Sequence, residues 1–200
     1  MSTADQTRVD GDLEDLAQAV ADQVASFLLA VREVAHRGEP ATAVPLLLLE
    51  VSQLLLAGAR LGVQVDFVPQ EKYEPDAGPD PDLDRIRLEL AKLLDGFDDY
   101  TEVFDPYIDP PDLVPSRVSD DVTAIAGRVA HGLQHFRAGR VDEALWWWQF
   151  SYVSSWGAEA SGVLRALQSV VSHDRLDSDK DHTAEMERVA IAEALAQHPE

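Results

Sequence analysis

The segment ALWWWQFSYVSSWG, residues 144–157, holds all four tryptophans of the chain and decides how the rest of the sequence is interpreted. On a helical wheel its large apolar side chains cover an arc of about 200°, with Gln149 in the middle. Consecutive tryptophans point about 100° apart, so Trp146, Trp147 and Trp148 cannot line one pocket together. The segment therefore predicts a helix that packs on several sides, near the centre of a bundle.

Four residues of this helix are candidates for binding. Trp147 is the one tryptophan on the face of small and polar residues, so it is either covered by another helix or exposed as an anchor for a partner. Gln149, if buried, must hydrogen-bond a backbone carbonyl, an indole or a ligand. The candidates in this segment are Trp147, Gln149, Tyr152 and Trp156.

Apolar residues recur at steps of three and four along most of the chain, and no strong alternating pattern is present. We expect an all-α fold, a single helical bundle of five or six helices over residues 11–175. The second helix, around LLLLEVSQLLLAGARLG (46–62), is apolar over about two-thirds of its wheel, which predicts a place in the middle of the bundle. Glu50 on that helix is a candidate titratable group. We expect Ser119 to cap the fourth helix and Gly157 to break or bend the fifth.

Two long Pro-rich acidic loops, 63–80 and 98–116, interrupt the predicted bundle. Residues 62–121 hold 17 acidic and 5 basic residues. Long loops without regular structure are often functional, which makes Tyr73 and Tyr107 binding candidates, although such aromatics also serve to pin loops onto a bundle.

The ends of the chain differ from the bundle in composition. Residues 1–10 are expected to be disordered, and 176–200 to form a polar linker and a peripheral C-terminal helix. The opening MSTADQTRVDGDLED has no basic stretch followed by an apolar one, so we expect no signal peptide and a cytoplasmic protein. The apolar run 46–62 is short for a bilayer and carries polar residues, so no membrane partner is expected.

Charge and composition narrow the choice of partners. With 16 Lys+Arg against 37 Asp+Glu the net charge is −21, which repels nucleic acid and anionic membranes and favours a basic protein partner. The absence of cysteine excludes disulfides and thiol chemistry. His131 and His135 have the i, i+4 spacing of metal ligands, but the wheel turns both toward solvent beside Arg128 and no carboxylate completes a set. We therefore predict no metal site and no cofactor.

Two resemblances accompany these patterns. GLQHFRAGRVDEALWWWQFSY resembles one tetratricopeptide unit, a helical hairpin, without a second copy about 34 residues away. The segments AVPLLLLEVSQLLLAGARLG, YEPDAGPDPDLDRIRLELAKLLD, YTEVFDPY and EALWWWQFSYVSSWG, followed by LRALQS, resemble an uncharacterised actinobacterial family known only as a domain of unknown function. That resemblance covers roughly residues 12–175 and implies a helical fold without an assigned activity or site residue.

The patterns favour a non-enzymatic helical protein-interaction module that uses acidic loops and exposed aromatics. The alternative is a small-molecule-binding protein or an enzyme with a site between the central helices, built from Glu50, Gln149 and Tyr152. A deep pocket with convergent polar groups would favour the alternative, whereas an exposed aromatic patch would favour the interaction module. The sequence leaves catalytic activity and oligomeric state open.

Overall fold

The computed structural model describes residues 3–69, 71, 75–103 and 105–176, and only the backbone of residues 3–10. The predicted all-α class is confirmed, since the chain is 72% helical and its described residues contain one small sheet of two strands. The elements in chain order are α1 (Thr3–Arg37), α2 (Pro40–Gly62), α3 (Asp84–Leu93), β1 (Asp99–Val103), β2 (Leu113–Arg117), α4 (Val118–Arg137), α5 (Val141–Ser151), a π-helical turn (Tyr152–Trp156) and α6 (157–176).

The first helix begins earlier than the sequence pattern indicates. Disorder is expected for residues 1–10, yet α1 starts at Thr3. Once a helix is nucleated each added residue contributes a hydrogen bond, so α1 extends upstream of Leu13, where its regular apolar stripe begins. The linker and terminal helix expected in 176–200 lie, from residue 177 onward, outside the described residues.

The second acidic loop contains a β-hairpin that its sequence pattern does not predict. β1 pairs antiparallel with β2, from Asp99 opposite Arg117 to Val103 opposite Leu113. Each strand is five residues long and alternates between exposed and half-buried positions over most of its length. So short an alternation, inside a stretch rich in proline and aspartate, is easily read as loop.

The core is built around α1, which packs against α2, α3, α4 and α5. The prediction that α2 lies in the middle of the bundle is wrong. Its inner face, with Leu47, Val51, Leu54 and Leu61, is fully buried, whereas Leu49 and Leu56 on the outer face are 51% and 65% exposed. An apolar arc shows that a helix can be covered on several sides, but it does not supply the neighbours that would cover it.

By length and composition, α2 is long and apolar enough to cross a membrane, and it is the one such helix in the described part of the chain. A core helix of a soluble protein passes the same test, and 44% of the apolar window of α2 is buried inside the protein. The match is therefore weak evidence for a membrane span.

A helical hairpin of α4 and α5 holds the tryptophan segment. Gly139 has a φ of 76°, and the N–H groups of Gly139 and Arg140 donate to the carbonyls of Phe136 (2.9 Å) and His135 (3.0 Å). This pair of bonds ends α4 and reverses the chain. The predicted hairpin is thus closed by a glycine that can adopt the left-handed conformation.

The hairpin is tight because Gly132 of α4 leaves room for Trp148 of α5. A Cβ atom at position 132 would overlap Nε1 of that indole. The indoles of Trp147 and Trp148 donate to consecutive carbonyls of α4, those of Arg128 (2.8 Å) and Val129 (3.0 Å). Buried indoles need an acceptor, and α4 supplies both.

A break or a bend of the fifth helix is expected at Gly157, and the break does not occur. Gly157 is helical, with φ −65° and ψ −41°, and its N–H donates to the carbonyl of Tyr152, five residues earlier. A Cβ atom at Gly157 would lie 2.6 Å from that carbonyl oxygen, so glycine allows the wider turn. Serine hydroxyls that bond carbonyls four residues back, as Ser154 and Ser155 do, also loosen a helix at this point. The chain therefore continues from α5 into α6 through a π turn.

The contact between Gly132 and Trp148 can be tested against a glycine on the same helix. We expect Gly132→Ala to lower the free energy of unfolding by about 2 kcal/mol, because the added methyl displaces a buried indole. Gly127→Ala is the control, since a Cβ there meets only Leu83 at 3.8 Å, and helix propensity should raise stability by up to about 1 kcal/mol. Urea unfolding measures both. Equal effects in the two variants would contradict the close-contact interpretation.

Candidate functional site

A cleft of about 1130 Å³ lies between the β-hairpin, formed by β1 and β2, and α6. All five residues of β1 line one side of it, together with Gly96 and Phe97. No residue of β2 lines it, so the cleft follows the edge of β1 that faces away from β2. The opposite wall is one face of α6, formed by residues spaced by four: Ser161, Arg165, Ser169 and His173, with Gly162, Ala166, Val170 and Asp174 beside them.

The register of the hairpin shows which backbone groups of β1 face the cleft. Thr101 pairs with Pro115, which has no N–H, so this cannot be a hydrogen-bonded pair. The N–H of Val118 donates to the carbonyl of Asp98 (2.8 Å), which extends the same ladder by one pair. The hydrogen-bonded positions of β1 are therefore Tyr100 and Glu102. The N–H and C=O groups of the alternate residues, Asp99, Thr101 and Val103, point toward the cleft.

These outward groups form an open strand edge. Among the residues that the structure describes, no backbone–backbone bond outside the hairpin ladder involves Asp99–Val103. Unpaired strand edges attract another strand, and proteins usually cover or shorten them. Here the edge is retained along a cleft with a helix as its far wall.

Asp98 fixes the hairpin to the start of α4. Its carboxylate accepts hydrogen bonds from the backbone N–H (2.7 Å) and hydroxyl (2.8 Å) of Ser119, and it pairs with Arg117 at 2.8 Å. The prediction that Ser119 caps α4 is wrong, because α4 begins one residue earlier and the Ser119 side chain is turned to Asp98. A carboxylate from outside the helix thus does the work of the cap.

A partly buried polar cluster joins β1 to α4 and α6. The hydroxyl of Tyr100 donates to Oδ2 of Asp121 (2.8 Å), and Arg128 pairs with Glu159 at 2.7 Å. A Cβ atom at Gly162 would lie 2.8 Å from the Tyr100 hydroxyl and 3.0 Å from the carboxyl of Glu102. Gly162 therefore allows these two side chains of β1 to approach α6.

The cluster contains more carboxylates than cations. Burial raises the pKa of the Glu102 carboxyl, and the charges of Asp121 and Glu159 raise it further. Burial also raises the pKa of Asp121, against the hydrogen bond from Tyr100, and the pKa of Glu159, against the charge of Arg128. The pKa of the Tyr100 hydroxyl is raised by burial and by Asp121, so this hydroxyl stays protonated and acts as a donor. The pKa of a carboxyl that lines the cleft, that of Glu102, is thus raised by burial and by its carboxylate neighbours.

These raised pKa values predict how stability depends on pH. The folded chain holds protons on three carboxyls, those of Glu102, Asp121 and Glu159, more tightly than the unfolded chain does. Their contribution to the free energy of unfolding is therefore complete below the ordinary carboxyl pKa of about 4.3. It is lost as pH rises through the raised values. Glu102→Gln should flatten the fall of unfolding free energy with rising pH, as measured by urea titrations at several pH values. Glu14→Gln, at an exposed site on α1, should leave the slope unchanged, and a slope in Glu102→Gln equal to that of the native chain would refute the assignment.

Two of the predicted binding residues, Trp147 and Gln149, make their contacts within the protein. Trp147 is half-buried under α4, where its ring lies 4.4 Å from that of His131. Gln149 is buried, and its Oε1 accepts from the N–H of Phe67 (2.8 Å) while its Nε2 donates to the carbonyl of Leu61 (3.0 Å). Gln149 thereby holds the end of α2 and the start of the first loop. Neither residue lines the cleft.

The role of Gln149 can be tested by removing its amide. Gln149→Leu leaves the Phe67 N–H and the Leu61 carbonyl without their side-chain partner, and we expect a loss of about 2 kcal/mol in unfolding free energy. Gln53→Leu, exposed on α2, is the control and should change stability by no more than about 0.5 kcal/mol. Thermal or urea unfolding gives both values. A Gln149→Leu variant as stable as the control would show that these bonds contribute nothing.

The other candidates on the central helices also pack internally. Tyr152 and Trp156 contact each other with ring centroids 4.8 Å apart, and both pack against Gly58 of α2. Within the described residues, the buried Trp156 indole N–H has no hydrogen-bond acceptor. Glu50 is buried and accepts a bond from the Ser26 hydroxyl of α1 at 3.2 Å. None of the three lines the hairpin cleft.

The tyrosines proposed for the loops have different outcomes. Tyr107 lies in the connection between β1 and β2 and is 96% exposed, so it is free to meet a partner. Tyr73 lies outside the described residues. Tyr100 pins the second loop to the bundle through its hydrogen bond to Asp121.

The histidine pair does not face solvent as predicted. His135 is fully buried, and His131 lies between Trp147 and Asp80, with Nδ1 3.0 Å from the carboxylate of Asp80. The first acidic loop folds over this face of α4, where Gln134 donates to the carbonyl of Pro79. In the described part of the chain, no three potential ligands of the His, Cys, Asp and Glu types come together as a metal group.

The residues that form the cleft do not stand out in the sequence. Asp99–Val103 lie inside a stretch that was treated as irregular, and Arg165 and His173 come from two turns of α6 that no motif marks. The available signal was the segment DYTEV, in which tyrosine, threonine and valine favour strands, with LVPSR following after the intervening residues 104–112.

The fold and cleft define a helical domain with one β-hairpin clamped to its side. The chain belongs to the family described as "Domain of unknown function (DUF5063)", whose model matches residues 11–173. The expected resemblance to an uncharacterised family is thereby confirmed, while its actinobacterial origin stays a prediction. No curated protein matches the chain. The crystal structure of protein BF1032 from Bacteroides fragilis is similar, with a TM-score of 0.61, 19% identity and coverage of 76% of this chain and 89% of that chain, which shows a shared fold.

Proposed function

We propose that this protein is a non-enzymatic protein-interaction module that binds an extended segment of a partner by adding it as a strand to β1. The observation that carries the proposal is the open edge of Asp99, Thr101 and Val103 along a cleft walled by α6. In strand addition, main-chain bonds supply affinity and the groove selects alternate side chains. A groove between a strand edge and a helix suits this mode.

The chemistry of the cleft favours a basic partner. Asp99, Glu102 and Asp174 line it against one arginine, Arg165, and one histidine, His173. The net charge of −21 adds a long-range attraction for basic proteins. The proposal keeps the cytoplasmic setting that the sequence leads us to expect. Tyr107, exposed at the far end of the hairpin, offers a further contact outside the cleft.

The small-molecule alternative receives less support. Its predicted residues Glu50, Gln149 and Tyr152 are packed against α1, the first loop and α2 respectively, and they are not part of the cleft. Since the cleft is an open groove along a strand, it suits a chain segment better than an enclosed ligand.

The strand-addition proposal can be tested at one backbone N–H. Peptides selected from a random displayed library on the full chain should protect the amide hydrogens of Thr101 and Val103 from exchange. Thr101→Pro removes an outward donor without breaking the ladder to β2, so it should weaken those peptides about tenfold or more.

Two variants serve as controls for this test. Thr101→Ala keeps the donor, and Leu113→Pro makes the same change on β2, whose outward edge lies away from the cleft; both should bind like the native chain. Equal binding by Thr101→Pro, or selected peptides that leave both amides unprotected, would rule out strand addition at β1.

A further inference from the structure

The geometry of an added strand determines which of its side chains enter the cleft. The outward groups of Asp99, Thr101 and Val103 would form the hydrogen-bonded pairs with it, so residues opposite Tyr100 and Glu102 would fall in the non-hydrogen-bonded pairs. Side chains are closest in such pairs, and directly opposite residues share a face of the sheet. Tyr100 and Glu102 face the bundle, so their opposite residues would point into the cleft.

We infer that the segment bound at β1 carries a basic side chain opposite Glu102 and an apolar side chain opposite Tyr100, two residues apart. This inference rests on the proposed strand addition and names the side chains that the cleft would select.

The basic position follows from the charges behind β1. Glu102, Asp121 and Glu159 act on one another electrostatically, and the cation among them, Arg128, is paired with Glu159. An ammonium or guanidinium group opposite Glu102 would offset this excess charge in a partly buried place, where a pair is screened less than at the surface. Arg165 lies on the opposite wall and is the one competing arginine among the cleft residues.

The apolar position follows from the apolar residues that line the cleft on the Tyr100 side. Phe97, Ala166 and Val170 are partly buried hydrophobic residues that pack on the core and line the cleft. Phe97 precedes β1 by two residues, on the side of Tyr100 that lies away from Glu102. A side chain opposite Tyr100 would cover this apolar surface and remove it from water.

The raised pKa of Glu102 predicts how the affinity for a basic side chain depends on pH. A basic side chain can pair with Glu102 only after the carboxyl has lost its proton, so its affinity should increase as pH rises through the raised pKa. A neutral side chain at the same place should show little such dependence.

The test uses a nine-residue peptide of alternating threonine and valine, labelled with fluorescein at its N-terminus, with Lys-Thr-Leu at its centre. Added antiparallel to β1, this order places lysine opposite Glu102 and leucine opposite Tyr100. Two further versions carry glutamine or glutamate in place of lysine. Fluorescence anisotropy with the full chain should give about five- to tenfold weaker binding for glutamine, and weaker still for glutamate. Glu102→Gln should reduce the preference for lysine to less than about twofold. Asp112→Asn is the matched control, because it removes a carboxylate at an exposed position of the same β-hairpin that does not line the cleft, and it should keep the preference.

Amide exchange at Thr101 and Val103 tests strand addition separately from the preference for side chains. Protection by all three peptides with equal affinities would overturn the side-chain rule while leaving strand addition intact. A preference for lysine that survives in Glu102→Gln would also overturn it. Absence of protection with every peptide would overturn strand addition, and the side-chain rule with it.

Discussion

The missing side chain at Gly132 sets the distance between α4 and α5, and the arrangement of the other helices depends on it. Trp148 fills the space above this glycine, and its indole N–H reaches a carbonyl of α4. With α5 held so close, Gln149 on its next position meets the end of α2 and the start of the first loop. One close helix contact thus places a buried amide that organises a segment more than eighty residues earlier in the chain.

The β-hairpin is held to the bundle by polar contacts and not by the close apolar packing that joins α4 to α5. Asp98, Arg117 and Ser119 hold its base, and Tyr100 holds β1 to Asp121. Few of its residues are buried, so its position depends on hydrogen bonds and charge pairs more than on apolar area. Elements that bind partners are commonly drawn from the parts of a fold that are held mainly by such polar contacts. The open edge of β1 and the polar attachment of the β-hairpin are therefore both compatible with partner binding.

The sequence predicts those features whose causes are local. The tryptophan helix, the α4–α5 hairpin and the glycine turn at 139 follow from periodicity and residue type within a few turns. The position of α2 does not, because its apolar arc carries no information about which neighbours exist. The contact of His131 with Asp80 depends on a loop some fifty residues earlier, and the partners of Gln149 are more distant still. The β1 edge was missed because five-residue strands give too little alternation to identify, and its cleft needs α6 from the other end of the domain.

The π turn at Tyr152–Trp156 has a consequence for the wall of the cleft. Such a turn accommodates one more residue than regular α-helical geometry would, and each residue of an α-helix advances the direction of its side chain by about 100°. The residues that follow, including Ser161, Arg165, Ser169 and His173, are thereby rotated relative to α5 by that increment. The face of α6 turned to β1 is chosen by this inserted residue upstream. Deletion of one residue in the π turn would rotate α6 so that a different face met β1, although none of the residues that line the cleft would have been changed.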